Sequence, residues 1–176
     1  MEKGLFVSKM KNRYNVTVFR KGLFKMSDLI QERYIFLNED YQSKKDVLSF
    51  IAKKAKEFDI CDSDEGLLED LLKRESEFST GLQDGFAIPH ARSKHVKTVS
   101  VFFIRNASTL DWETLDDSEV HNLFALLVPE ENEGNIHLQM ISTLATCLLE
   151  DDFKDKIKST NDVSELKEYI LSNISK

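Results

Sequence analysis

Two apolar runs of strand length constrain the fold more than any other feature of this chain. Lys97 to Arg105 carries Val99, Val101 and Phe103 on one side and Phe102 and Ile104 on the other. Apolar residues on both sides describe a strand covered on both faces, because a strand with one wet face alternates apolar with polar. Leu123 to Val128 is a second such run, ended by Pro129, which cannot donate to a continuing ladder. Two central strands of this kind need a layer of helices on each side.

The helices that could supply those layers are legible by period. Ser43 heads a segment from about Lys44 to Phe58 with Val47, Phe50, Ile51 and Ala55 at helical spacing. Ser63 heads another, running toward Glu77 and burying Leu67, Leu68, Leu71 and Leu72. A polar turn at 130–134 leads to helices over about Asn135 to Leu149, Asp151 to Ile157 and Val163 to Ile174, while Arg33 to Asn38 reads as a short strand. The expected fold is α/β, a single domain with a central mixed β-sheet flanked by helices on both faces. No repeat, low-complexity tract or internal linker interrupts it.

Chemistry concentrates in Ser79-Thr80-Gly81-Leu82-Gln83-Asp84-Gly85-Phe86-Ala87-Ile88-Pro89-His90. A flexible loop tightens there into a short apolar strand, Phe86 to Ile88, and Pro89 fixes φ just before a single imidazole. A histidine held that way suits chemistry near neutral pH. Arg74 lies on the helical stretch upstream, and His137 falls at the start of a later helix in Gly134-Asn135-Ile136-His137-Leu138-Gln139. Two nitrogen bases and a guanidinium can converge on one small anion.

These pieces, in this order, resemble the EIIA domains of the fructose and mannitol class in the bacterial phosphoenolpyruvate-dependent sugar phosphotransferase system. The resemblance runs from about Leu29 to Ile174. It rests on Arg74-Glu75, Ser79-Thr80-Gly81, Gly85 to Arg92, Leu110-Asp111-Trp112, Val120 to Glu130 and Asn135-Ile136-His137-Leu138-Gln139. It implies that His90 accepts a phosphoryl group from phospho-HPr and passes it to an EIIB partner, which is expected on a separate chain because neither Cys61 nor Cys147 lies in an EIIB-like loop. Arg74 matches the family's supporting arginine and His137 its second active-site histidine. The residue after the phosphoacceptor is often glycine in this family and is Ala91 here. Whether His137 orients His90 or contacts the phosphoryl oxygens stays open, as does the sugar, whose choice belongs to the membrane component.

Phosphoryl transfer of this kind depends on positioning and on neutralising charge over the equatorial oxygens, for which an arginine fork is suited. Nothing in the motif set asks for a cofactor or a metal. A metal-dependent hydrolase built on His90, His137 and a carboxylate lacks the His-x-x-x-His or Glu-bearing spacing such sites use. The stronger alternative is regulatory, with phosphorylation of the same histidine signalling to a transporter, kinase or transcription regulator. Of the remaining candidates, His95 and His121 read as surface or strand-end residues. Arg92 reads equally as a phosphate or partner contact and as a solvated loop residue, Asp84 as a turn former, and Trp112 and Phe86 as core or loop anchors.

No apolar run approaches the roughly 20 residues that span a bilayer, and the N-terminus lacks a signal peptide's apolar segment, so a cytoplasmic location is expected, with the membrane reached only through the EIIC transporter. Cys61 and Cys147 are isolated in sequence and read as buried thiols. The chain carries a net charge of −7, yet its first 25 residues hold Lys3, Lys9, Lys11, Arg13, Arg20, Lys21 and Lys25 against Glu2 alone. Residues 1–26 therefore read as a basic N-terminal extension, with Tyr14 to Phe19 a possible edge strand, and 27–176 as the domain. The extension has no nucleic-acid motif, and the acidic body would repel phosphate backbones.

Overall fold

In the computed structural model, residues 16–19, 22–131 and 135–175 are described. Most of the basic residues of the N-terminal extension, and 132–134 of the polar turn, lie outside that set.

Strands β1 (Val16–Phe19) and β2 (Gly22–Lys25) pair antiparallel in a two-stranded sheet of their own. The alternating segment of the extension is thus a hairpin arm rather than an edge strand of the main sheet. Helix α1 (Met26–Leu29) and a 3-10 turn (Glu32–Tyr34) lead into β3 (Ile35–Glu39). Helices α2 (Lys44–Glu57) and α3 (Asp64–Glu77) follow, then β4 (Phe86–Ala87), β5 (His90–Ser93), β6 (Ser100–Leu110) and β7 (Val120–Pro129). The chain closes with α4 (Asn135–Cys147), α5 (Asp151–Ser159) and α6 (Val163–Ile174).

The five-stranded sheet is mixed, as expected. Its order is β3, β6, β7, β4, with β5 continuing beside β7 past the end of β4. β6 and β7 are antiparallel, while β3 on β6 and both β4 and β5 on β7 are parallel. Phe102 and Ile104 of β6, with Leu123, Ala125 and Leu127 of β7, face α2 and α3 through Val47, Leu48, Ile51, Leu67 and Leu71. Val101 and Phe103, with Phe124, Leu126 and Val128, face the other way onto Met140, Leu144, Phe153, Ile157, Leu166 and Ile170. Each fully buried Phe or Leu in these layers contributes about 1.5–3 kcal/mol of transfer free energy.

Side-chain caps set where the helices start. Ser43 accepts from the Asp46 amide at 3.1 Å, Ser63 from Gly66 at 3.0 Å and Asp162 from Glu165 at 2.7 Å. Each satisfies an amide that lacks an intrahelical partner, at about 1 kcal/mol per cap.

The structure differs from the sequence pattern in two instructive places. β6 runs on to Leu110, past Arg105, because Asn106 is tied by its side chain to Tyr41 and Ser108; these polar partners erase the apolar pattern without ending the strand. His90 does not stand at the end of a loop but opens β5. Pro89 interrupts the edge: Ile88 turns its amide away from β7 onto Thr80 O at 3.0 Å, while Pro89 O accepts from Leu126 N at 2.9 Å. A proline is tolerated here because it breaks an edge strand.

Candidate functional site

Three segments far apart in sequence meet at the break between β4 and β5. Arg74, in the last turn of α3, extends its guanidinium to the imidazole of His90, with Nε donating to His90 Nε2 at 3.0 Å. Its Nη1 donates to Phe78 O at 2.8 Å, which holds the fork against the end of its own helix. On the far side of the ring, His90 Nδ1 lies 2.7 Å from Ile88 O. A carbonyl only accepts and a guanidinium only donates, so the two contacts together select one species: neutral imidazole with the proton on Nδ1 and the lone pair on Nε2.

The surroundings enforce neutrality. His90 is 7% exposed, and its pKa is pushed down to about 4, chiefly by burial. The charges of Arg74 and His137 push the same way, against the Ile88 hydrogen bond and the charge of Glu75. A strongly buried imidazole beside a guanidinium remains a base and nucleophile throughout the neutral range.

His137 completes the group from the first turn of α4. Its ring centroid lies 5.2 Å from that of His90, with the planes tilted by 55°. Its Nε2 is buried and has no hydrogen-bond partner among the described residues. Burial lowers its pKa too, followed by the charges of Arg92 and Arg74. Arg92, two residues beyond His90 on β5, donates through Nε and Nη2 to Glu130 O at 2.9 and 2.5 Å. The expected trio of His90, His137 and Arg74 is therefore assembled, with Arg92 adding positive charge beside His137.

The other sequence candidates are engaged in packing. His95 Nδ1 pairs with Asp62 Oδ1 at 2.9 Å, and His121 Nδ1 lies 3.2 Å from Asn106 O. Asp84 occupies a positive-φ turn position (57°) and binds Lys154 Nζ through Oδ2 at 2.5 Å. Phe86 and Trp112 are core residues. Cys61 is buried against α2, its Sγ 3.9 Å from Ala52 O. Among the described residues, no three His, Cys, Asp or Glu side chains group as a metal-binding set. The sequence motifs assign no role to the Ile88 carbonyl, which contacts the ring, or to Thr80 and Glu75, which follow it in a hydrogen-bonded chain. The only signal was that Glu75 and Thr80 lie inside motifs quoted for other reasons.

The α/β domain thus presents a neutral, arginine-capped histidine beside a second histidine. The family model of the phosphoenolpyruvate-dependent sugar phosphotransferase system, EIIA 2, matches residues 28–173. The chain belongs to that family and is a phosphotransferase component. It is 34% identical to the fructose-specific EIIA component of Haloferax volcanii over 123 residues, covering 70% of this chain and 79% of that one. The chain spans about a fifth of the length of the fused EIIABC components it also matches. Among solved structures, a nitrogen regulatory protein from Neisseria meningitidis superposes with a TM-score of 0.76 at 28% identity, over 82% of this chain and 98% of that one. Enzyme IIA from Escherichia coli, solved in complex with phosphorylated enzyme IIB, shares the fold with a TM-score of 0.68 at 19% identity, over 82% and 99% of the two chains.

Proposed function

We propose that this chain is a phosphocarrier that takes a phosphoryl group from phospho-HPr onto Nε2 of His90 and delivers it to an EIIB component during sugar uptake. The carrying observation is the hydrogen-bond polarity at His90: Nδ1–H donates to Ile88 O, leaving the Nε2 lone pair aimed at Arg74. As the bond from Nε2 to phosphorus forms, the bond from phosphorus to the donor breaks and its electron pair leaves with the donor. The proton stays on Nδ1, where Ile88 O stabilises the positive charge that develops on the ring. Arg74 then moves from the lone pair to the phosphoryl oxygens, a short displacement for a fork already in contact. His137, its ring 5.2 Å from that of His90, has a buried nitrogen with no hydrogen-bond partner among the described residues, and the N-terminus of α4 adds the positive end of its dipole.

The location proposed is the cytoplasm; among the described residues no helix is long and apolar enough to cross a membrane.

Transfer of labelled phosphate from phosphoenolpyruvate through enzyme I and HPr tests the reading. Label that is acid-labile and base-stable is expected on the wild type, absent from His90→Ala and slowed in His137→Ala. An unlabelled wild type with active HPr present overturns it. A second reading, control of another protein by the phosphorylation state of His90, is favoured by the match to nearly the whole of a nitrogen regulatory protein. Onward transfer to a cognate EIIB separates the two readings.

A further inference from the structure

Glu75 stands beside Arg74 on α3, and its carboxylate is almost wholly enclosed, with 7% of the side chain exposed. It accepts from Thr80 twice, at 2.5 Å from Oγ1 and 3.2 Å from the amide. Lys44 Nζ closes the other side at 3.3 Å, itself seated 4.8 Å above the Trp112 ring. Thr80, 6% exposed, passes the constraint on: its carbonyl accepts from Ile88 N at 3.0 Å. The Ile88 carbonyl, on the same residue, then accepts from His90 Nδ1 at 2.7 Å.

Two neighbouring residues at the end of one helix thus reach opposite nitrogens of the same ring, Arg74 directly and Glu75 through two intermediaries. Resting on the phosphocarrier reading, we propose that Glu75 is a positioning residue for phosphoryl transfer, which through Thr80 and Ile88 holds His90 in the Nδ1–H tautomer with Nε2 toward the donor. Pairing with β7 does not do this job. Ile88 and Pro89 fall in the gap between β4 and β5, so the Ile88 amide turns instead to Thr80 O, a backbone bond beside the antiparallel bridge of Gly81 with Ala87, and Glu75 anchors the Thr80 side of that bridge. A carbonyl freed from that link rotates, and the ring loses one of the two contacts that select its tautomer, leaving Arg74 alone to hold it. Glu75 also places a negative charge near the ring, in the direction that supports the imidazolium character developing during transfer.

The test uses Glu75→Gln, with Thr80→Val and Thr80→Ser as a second pair that leaves the Lys44 contact in place. Ring-nitrogen NMR of His90 at neutral pH reads the tautomer in unphosphorylated protein, and the initial rate of labelling by phospho-HPr reads transfer. Wild type is expected as the pure Nδ1–H form. Glu75→Gln and Thr80→Val are expected as tautomer mixtures, labelled roughly 10- to 100-fold more slowly, and Thr80→Ser is expected to recover both readouts. Unchanged tautomer and rate in Glu75→Gln and Thr80→Val overturn the proposal. So does a lowered thermal midpoint with the tautomer intact, which would mark Glu75 as structural only. An unlabelled wild type overturns the phosphocarrier reading instead, and the ring-nitrogen spectra still decide the role of Glu75.

Discussion

Both ring nitrogens of His90 are engaged before any donor arrives, and that arrangement has a signature in stability. Its pKa in the folded protein is about 4, lowered mainly by burial, against an unfolded value near 6.5. Above pH 6.5 neither state binds the proton and the folded state bears no penalty. As pH falls from about 6.5 toward 4 the unfolded chain binds a proton that the folded one refuses, so stability declines, approaching a loss of about 3 kcal/mol at pH 4. His137, shifted the same way, adds to the slope. Urea denaturation of wild type and His90→Gln between pH 7.5 and 4.5 should show the variant losing markedly less stability over that interval. Parallel curves would mean that the ring is not protected from protonation.

At the scale of elements, the site depends on the loop between α3 and β4 lying flat against the segment after β6. Gly81 permits this: a Cβ placed there would come within 2.1 Å of Glu113 O, a backbone atom that cannot swing aside. Ser79 Oγ donates to the same carbonyl at 2.6 Å, and Leu115 N donates to Leu82 O at 2.6 Å. Gly81→Ala is therefore expected to lift the loop, lower stability by about 1–3 kcal/mol as overpacking does, and slow labelling of His90 through displacement of Thr80. Thermal denaturation and labelling measured together check it. By contrast the three atoms nearest an added Cβ at Gly66 all belong to the His95 ring, a side chain rather than backbone.

Much of this scale is readable without coordinates. The caps at Ser43 and Ser63, the apolar stripes of α2 and α3, and the opposed faces of β6 follow from local periodicity, because each is a statement about residues within a few positions of one another. The β5 strand was not legible. His-Ala-Arg-Ser has no period of two in hydrophobicity, and it forms a strand only because β7 offers it a parallel partner, His90 opposite Leu126. The extent of β6 beyond Arg105 was hidden for a similar reason, its polar residues being satisfied by Tyr41 from a distant segment.

At the scale of the whole molecule, the phosphocarrier reading proposed above requires the chain to meet two proteins in turn, so the surface around the site has to bind briefly and release. Phe78, 74% exposed at the end of α3, and Leu138, 67% exposed beside His137, put apolar side chains on that rim. The chain around them is acidic overall, which favours a basic partner face and an encounter rate that falls with ionic strength. Phe78→Ser should raise the KM for phospho-HPr by roughly fivefold, the equivalent of about 1 kcal/mol of interface contact. Its thermal midpoint should barely move, since the side chain is already in water. Steady-state transfer against HPr concentration reads the first effect, and an unchanged KM would place the docking surface elsewhere.

By itself the sequence determined the layers, the strands that sit at their centre and the family, and it singled out three residues that the structure brings together. It could do so because hydrophobic period and motif order are local properties of the chain. Only the tertiary structure decided which nitrogen of His90 carries the proton, that Arg74 caps the other, and that Glu75 connects to the ring through Thr80 and Ile88. Those facts depend on hydrogen bonds between α3, the 79–88 segment and β5, whose polarity exists only once packing has brought donor and acceptor within 3 Å or so of each other.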